Sequence, residues 1–236
     1  MKILAFNSTA VTASVAVAED ERLLAEITLN NGNTHSETLL PMVESVLSSY
    51  GITARDVDLF AASNGPGSFT GVRIGAATLK GLAFGSGKPC LGVSTLEAIA
   101  ENLSVRAGLI CPVMNARRSQ VYTALFRSDG ETLTRLRDDE AISIEELDEL
   151  LSAYGEPVSF CGDGVDVTLP ALKKTTALPV PNRLVHQSAS SVAKVALRAY
   201  REGLRTNDAE FTVTYLRPSQ AERTYLEKQN AKKDSL

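Results

Sequence analysis

The most conspicuous candidate for chemistry in this chain of 236 residues is a glycine-rich segment at 64–75, which reads Asn-Gly-Pro-Gly-Ser-Phe-Thr-Gly-Val-Arg-Ile-Gly. A Walker A phosphate loop needs Lys and Ser/Thr after its last glycine, where this segment has valine and arginine, and a dinucleotide-binding fingerprint needs glycine in place of Thr70. Pro66 also removes an amide that could donate to phosphate. Two interpretations stay open: a helix N-terminus that offers amides to an anion, and a rigid strand-to-helix turn capped by Ser68.

Two further polar groups are candidate nucleotide contacts: the turn Asn7, Ser8 and Thr9, and the basic pair Arg117 and Arg118. The amide at position 7 lacks the carboxylate that would hold Mg²⁺. Exposed arginine pairs are also common on surfaces that bind nothing, so both groups remain candidates.

The histidines and cysteines exclude most metal and nucleophile chemistry. A helical metal pair beginning at His35 would need a second histidine at position 39, which is leucine, and His186 has no companion. Cys90, Cys111 and Cys161 are odd in number with no C-x-x-C pair, which fits free thiols in a reducing cytosol. We expect no metal site and no catalytic triad. Asp163, between two glycines, is either a turn residue or a ligand contact.

Composition is typical of a globular protein of one or two domains, with 44% apolar residues and a net charge of −4 from 24 basic and 28 acidic residues. This balance provides no global cationic field to attract nucleic acid. The uncharged stretch 3–18 superficially resembles a signal peptide, but polar residues interrupt it and it reads better as strand, turn and strand. We expect a cytoplasmic protein with no membrane span.

Helix and strand patterns divide the chain into two units that position these residues. Residues 1–104 predict the order β-β-β-α-β-α-β-α, which indicates a mixed sheet with helices packed against it. Residues 105–218 predict a second, smaller α/β unit whose last helix, 188–202, is a candidate to pack back on the first. The region between its last strand and that helix is expected to be mostly irregular, and residues 219–236 are expected to form a flexible tail.

The helix predicted after the glycine-rich segment is apolar on nearly all sides, so it must be covered on nearly all sides. A partner chain could cover it, and so could the second unit of the same chain. We predict an interface on this helix and the preceding one, formed by Leu39, Val43, Val46, Leu47, Val72, Ala76, Leu79 and Ala83.

Four segments occur together in an order that resembles one family. They are residues 3–9 (Ile-Leu-Ala-Phe-Asn-Ser-Thr), 35–41 (His-Ser-Glu-Thr-Leu-Leu-Pro), 65–75 of the glycine-rich segment and 116–122 (Ala-Arg-Arg-Ser-Gln-Val-Tyr). The combination resembles the TsaB (YeaZ) family, bacterial subunits for the biosynthesis of threonylcarbamoyladenosine in tRNA. The likeness is dense through residue 125 and thinner beyond it.

The resemblance implies an actin-like ATPase fold of two lobes, each a mixed sheet with helices, the second lobe reduced. It further implies a non-catalytic subunit that dimerises with the paralogue TsaD through its first two helices, with TsaE as a third component and tRNA bound only through the complex. Alone, the same helices would form a homodimer. TsaD carries two metal-binding histidines on its first helix; here His35 matches the first position and Leu39 replaces the second.

The sequence departs from the family at one position, and one rival hypothesis stays open. Asn7 stands where relatives usually have Asp, which leaves ATP or ADP with Mg²⁺ only at the interface of the complex, with no tightly bound cofactor. The rival hypothesis is an enzyme, either an actin-like-fold ATPase or phosphotransferase or a glycoprotease-like metalloenzyme. Each needs a carboxylate or histidine pair to hold a metal.

Overall fold

The computed structural model describes residues 1–217, which form two successive α/β units. The strands are β1 Lys2–Asn7, β2 Ala13–Glu19, β3 Arg22–Leu29, β4 Leu59–Gly65, β5 Cys90–Ser94, β6 Gly108–Arg117, β7 Gln120–Ser128, β8 Leu133–Ser143, β9 Val158–Cys161 and β10 Ala177–Leu178. The helices are α1 His35–Ser49, α2 Phe69–Ser86, α3 Thr95–Glu101, α4 Ile144–Ser152, α5 Val165–Thr168 and α6 Ala189–Arg201. The element order predicted for the first hundred residues is confirmed. The predicted tail, 219–236, lies outside the described residues.

The first sheet has the order β3-β2-β1-β4-β5, with β1, β4 and β5 parallel and β2 antiparallel to its neighbours. Alternation along β1 directs Leu4 and Phe6 to a core beneath α1 and α2, and Ile3 and Ala5 to a core beneath α6. Because both faces are covered, β1 is apolar from Ile3 to Phe6, which contributes to the superficial likeness to a signal peptide.

The second sheet repeats the arrangement of the first. Read from β8, its order is β8-β7-β6-β9-β10, again an antiparallel meander followed by two parallel strands. The intervening helices also correspond, α4 to α1 and α5 to α2, but they are shorter: 9 and 4 residues against 15 and 18. This duplicated topology with a reduced second lobe is the actin-like ATPase fold that the resemblance implied. The segment expected to be mostly irregular contains α5 and β10 among its turns.

The last helix of each unit packs against the sheet of the other unit. α6 packs on the first sheet through residues such as Val192 and Ala196. α3 buries Leu96 and Ile99 in the same cluster as Phe126 of the second sheet. The two lobes are therefore joined by helix packing as well as by the chain. No helix within residues 1–217 combines the length and apolar character needed to cross a bilayer.

Candidate functional site

A cleft of about 550 Å³ lies between the lobes, and several of the residues singled out from the sequence line it. Its walls come from the turn after β1, the glycine-rich loop between β4 and α2, the tip of the β6–β7 hairpin, the turn after β9 and the chain beyond α6. Thr9 and the glycine-rich loop of the first lobe therefore lie in the same cleft as Arg117 and Asp163 of the second.

The polar side chains of the turn after β1 form hydrogen bonds within the protein. Asn7 is 1% exposed; its Oδ1 accepts from the backbone N–H and the hydroxyl of Thr9, at 2.8 and 2.9 Å, and its Nδ2 donates to Ser63 at 3.0 Å. Ser8, also buried, donates to the carbonyl of Gly71 at 2.9 Å. All three side chains thus shape the turn, and Thr9 also lines the cleft. A nucleotide contact by Asn7, Ser8 and Thr9 stays a prediction.

The glycine-rich loop packs directly on that turn. The backbone N–H of Ser68 donates to the carbonyl of Thr9 at 2.7 Å. A Cβ at Gly67 or Gly71 would overlap the carbonyl oxygens of Thr9 and Ser8, closer than real Cβ contacts permit. The glycines are thus required for backbone-to-backbone contact between two loops of this chain.

At the start of α2, the Ser68 hydroxyl accepts from the backbone N–H of Gly71 at 3.3 Å. This is an N-cap, and it uses one of the amides that an anion would need. The strand-to-helix turn capped by Ser68 is confirmed, and anion binding at this helix start stays a prediction.

The basic pair lies at the tip of the β6–β7 hairpin, where Arg117, Arg118 and Ser119 all have left-handed backbones with φ of 62, 54 and 56°. The Asn115 side chain accepts from the backbone N–H of Arg117 at 2.8 Å and stabilises this turn. Both arginines are exposed, but only Arg117 of the pair borders the cleft. Arg117 therefore remains a candidate ligand contact and Arg118 lies outside the cleft wall.

A segment after α6 crosses the mouth of the cleft and was not anticipated from the sequence. Phe211 anchors it in the core of the first lobe, and the backbone N–H of Thr214 donates to Asn64 O at 2.8 Å. Arg217 then donates to Ala116 O of the second lobe at 3.0 Å. We call residues 211–217 the strap.

The strap carries an aromatic and cationic stack at the mouth. The Tyr215 ring lies 4.9 Å from the Phe69 ring, and the Arg73 guanidinium lies 3.8 Å over Phe69 and donates to the Tyr215 hydroxyl at 2.9 Å. The stack fixes the strap to the first turn of α2. Its only sequence signal was an isolated Tyr-Leu-Arg after a region without regular pattern.

Asp163 occupies a turn that lies flush against β6. Gly162 has φ of +101°, and a Cβ there would overlap the carbonyl oxygen of Val113. This close approach places Asp163 in the wall of the cleft. Burial raises the pKa of its carboxyl above the ordinary value, against smaller opposing effects from nearby hydrogen-bonding groups. Asp163 is thus both a turn residue and part of the cleft surface.

The predicted interface residues require a correction. All eight are at most 9% exposed within this single chain, and they form the core between the first sheet, α1 and α2: Leu39, Val43, Val46, Leu47, Val72, Ala76, Leu79 and Ala83. The periodicity correctly identified a buried face, but the sheet covers it rather than a partner. The outward faces of the same helices expose Leu40, Ala77, Gly81 and Phe84, with Phe84 78% exposed.

The histidine at the start of α1 is also engaged within the chain. His35 Nε2 lies 2.6 Å from the carbonyl oxygen of Ala10. Leu39, one turn later, points into the core. Within residues 1–217 no three His, Cys, Asp or Glu side chains group together as metal ligands would.

An ion network joins α3, β8 and α6. Glu97 of α3 pairs with Arg135 of β8 at 3.1 Å and with Arg198 of α6 at 2.8 Å. Arg198 also pairs at 3.1 Å with Glu101, whose side chain is only 2% exposed. Ser94 caps α3 as predicted, accepting from the Glu97 N–H at 3.2 Å. The Glu97 carboxylate is committed to the two arginines, so the helix start has one half of a capping box.

Comparison with known proteins gives one consistent family. A family model described as TsaD, tRNA N6-adenosine threonylcarbamoyltransferase, matches residues 22–234. The TsaB protein of Escherichia coli is 30% identical over 222 residues, 92% of this chain and 95% of that protein. The TsaB protein of Bacillus subtilis is 34% identical over 162 residues, 69% of this chain and 71% of that protein.

Among solved structures, YeaZ from Pseudomonas aeruginosa superposes with a TM-score of 0.79 at 26% identity, covering 91% of this chain and 99% of that one. The structural match and the Escherichia coli match both extend over the two lobes. Similarity of this extent shows that the chain belongs to the TsaB family of tRNA threonylcarbamoyladenosine biosynthesis proteins.

Proposed function

We propose that this protein is a non-catalytic subunit that dimerises with TsaD and supports it in forming N6-threonylcarbamoyladenosine in tRNAs that read codons beginning with A. The names of its relatives and the match to the TsaD model support a place in this pathway. TsaE is the third component, and tRNA binds through the complex. The setting is the cytoplasm, where the three free, buried cysteines stay reduced.

The observation that carries a supporting role is the direct packing of the turn after β1 against the glycine-rich loop. Both loops border the cleft, and Ser8 and Gly71 are in contact. The rival ATPase or phosphotransferase would need a free acidic group at position 7, but Asn7 is an amide bonded within the turn. The rival metalloenzyme would need a ligand at position 39, and Leu39 lies in the core.

The outward face of α1 and α2 is the surface we propose for TsaD. Ala77 and Gly81 lie one turn apart on α2, and such small side chains allow a second helix to approach closely. Phe84 and Leu40 are 78% and 47% exposed, so this face offers apolar surface that a partner could bury. Without TsaD, we expect two copies of this chain to pair through the same face.

The deciding experiment is reconstitution. Tagged TsaD should retain this chain in pull-down, and tRNA modification by TsaD with TsaE should fall strongly when this chain is omitted. Titration of the isolated chain with ATP or ADP and Mg²⁺ distinguishes this proposal from the rival enzyme hypothesis. We expect no tight binding by the isolated chain, because any nucleotide should bind only at the interface of the complex. Unchanged modification without this chain, or tight ATP binding by it alone, contradicts the proposal.

A further inference from the structure

The strap supplies part of the wall of the cleft and touches both lobes. Thr214, Tyr215, Leu216 and Arg217 all line the cleft. The segment follows α6 in the chain, yet it contacts the glycine-rich loop of the first lobe and the β6–β7 hairpin of the second. The strap therefore connects two walls of the cleft that are distant in sequence.

On the first lobe, the strap packs closely against the end of β4. The Thr214 backbone N–H donates to Asn64 O at 2.8 Å, and the Asn64 side chain donates to Thr212 O at 3.3 Å. Gly65 has φ of +122°, and a Cβ there would overlap the carbonyl oxygen of Thr214, so glycine is needed for this approach. Phe211, 4% exposed, holds the beginning of the strap in the core.

Side chains add a second attachment to the same lobe. The Tyr215 ring packs on the Phe69 ring with 4.9 Å between their centroids, and its hydroxyl accepts from Arg73 at 2.9 Å. Phe69 and Arg73 both belong to the beginning of α2. Backbone pairing and this stack together fix the strap to the first lobe.

The attachment to the second lobe is lighter. Arg217 donates to Ala116 O at 3.0 Å, a hydrogen bond from one side chain to one carbonyl at the hairpin. The strap also buries little apolar surface, since Phe211 is its one buried residue and Thr214 and Tyr215 are exposed. Segments with few buried apolar contacts open at a lower free-energy cost than core strands and helices.

We propose that the strap is a latch that sets the width of the cleft. Docked, it holds the β6–β7 hairpin to the glycine-rich loop. Released at Arg217, it stays on the first lobe and lets the hairpin move away. The contacts of α3 and α6 still join the lobes in that state, so release widens the cleft without separating the lobes. The inference concerns the isolated chain and does not depend on the proposed function.

The experiment measures the width of the cleft between two spin labels. Thr70→Cys and Ser119→Cys place the labels at exposed positions on α2 and on the tip of the hairpin, and the native cysteines are buried. Electron-spin distance measurements use labelled chain diluted with unlabelled parent, so that each distance arises within one chain. Arg217→Ala should raise the fraction with a longer distance about tenfold, because a hydrogen bond from a charged donor is lost.

Amide hydrogen exchange of Thr214 measures whether the strap stays on the first lobe. Arg217→Ala should leave this exchange rate unchanged, because the Thr214 bond to Asn64 lies on the other side of the latch. Tyr215→Ala removes the stack on α2 and should speed the exchange about tenfold. The matched control is Arg55→Ala, an exposed arginine of the first lobe, which should change neither measurement.

Thermal melting of each variant verifies folding. The inference is overturned if the distance distribution of Arg217→Ala equals those of the parent and of Arg55→Ala. It is equally overturned if Arg217→Ala speeds Thr214 exchange as much as Tyr215→Ala does, because the strap would then leave both lobes together and would not act as a latch hinged on the first.

Discussion

The Ser8 hydroxyl donates a hydrogen bond to the backbone carbonyl of Gly71 at 2.9 Å, while the position where Gly71 would carry a Cβ is filled by the backbone carbonyl of Ser8. The turn after β1 and the first turn of α2 are therefore fitted to each other without a gap. In this protein the glycine-rich loop is an internal packing element.

Replacement of Gly71 by alanine should be costly for this reason. The added methyl group would collide with backbone atoms of Ser8, which cannot move aside like a side chain, so we expect a loss of about 2 kcal/mol or more in the free energy of unfolding. Urea denaturation measures it. Gly81→Ala is the control: nothing lies within 4 Å of its Cβ position, and alanine favours an exposed helix by up to about 1 kcal/mol. Equal effects of the two substitutions would contradict the packing role.

The ion network between the lobes gives a second contrast. Arg198→Ala would leave the Glu101 carboxylate, 2% exposed, with Lys194 as its remaining ion partner, and should lower the free energy of unfolding by roughly 2 kcal/mol. Arg201→Ala, three residues later, removes exposed pairs with Glu21 and Asp20 and should cost less than about 0.5 kcal/mol. Thermal and urea unfolding of both variants compare them directly. Equal losses of unfolding free energy in the two variants would contradict a stabilising role for the network.

Sequence patterns predicted the fold well because its elements are encoded locally. The apolar run of β1 and the caps at Ser68 and Ser94 can be recognised from a few neighbouring residues. The duplication of the two lobes was not visible, since α5 is only 4 residues long where α2 has 18. The duplication is evident only from the order of the strands in the two sheets of the structure.

The candidate site was harder to predict, because its residues are distant in the chain. Asn7 looked available until its bonds to Thr9 and Ser63 were located, and nothing local marks Gln187 as buried beside Asp163. Periodicity likewise identified a buried face on α1 and α2, but only the sheet's position shows what buries it. The hydrophobic pattern of a helix predicts that a side chain is buried, but it does not predict which element buries it.

The two faces of α2 should respond oppositely to substitution. Leu79 is fully buried, so Leu79→Ala should destabilise the monomer by about 2–5 kcal/mol. Phe84 is 78% exposed, so Phe84→Glu should leave the unfolding free energy within about 0.5 kcal/mol and impair pairing with TsaD or with a second copy. Light scattering and pull-down measure the assembly. If Phe84→Glu keeps both forms of pairing intact, the outward end of α2 is not the contact.

Two buried acidic residues should shift stability with pH in opposite directions. For Asp148, burial raises the pKa, but backbone N–H groups of Lys173, Lys174 and Thr175 outweigh it, and the net pKa lies below the ordinary 3.8. Its carboxylate therefore adds stability at pH values above 3.8, which is lost as the pH falls through the lowered value. Asp148→Asn should cost about 1–3 kcal/mol at neutral pH, with the difference shrinking in acid.

For Asp163, burial raises the pKa, so the ionised group opposes folding once the pH exceeds the raised value. Asp163→Asn should accordingly be more stable than the parent at neutral pH, by up to about 1 kcal/mol, and should match it below pH 3.8, where both positions are uncharged. Urea unfolding of the parent and both variants between neutral pH and pH 3.5 measures the two differences. A parallel pH dependence for Asp148→Asn and Asp163→Asn would show that hydrogen bonds or solvent outweigh burial at Asp163, against the raised pKa expected here.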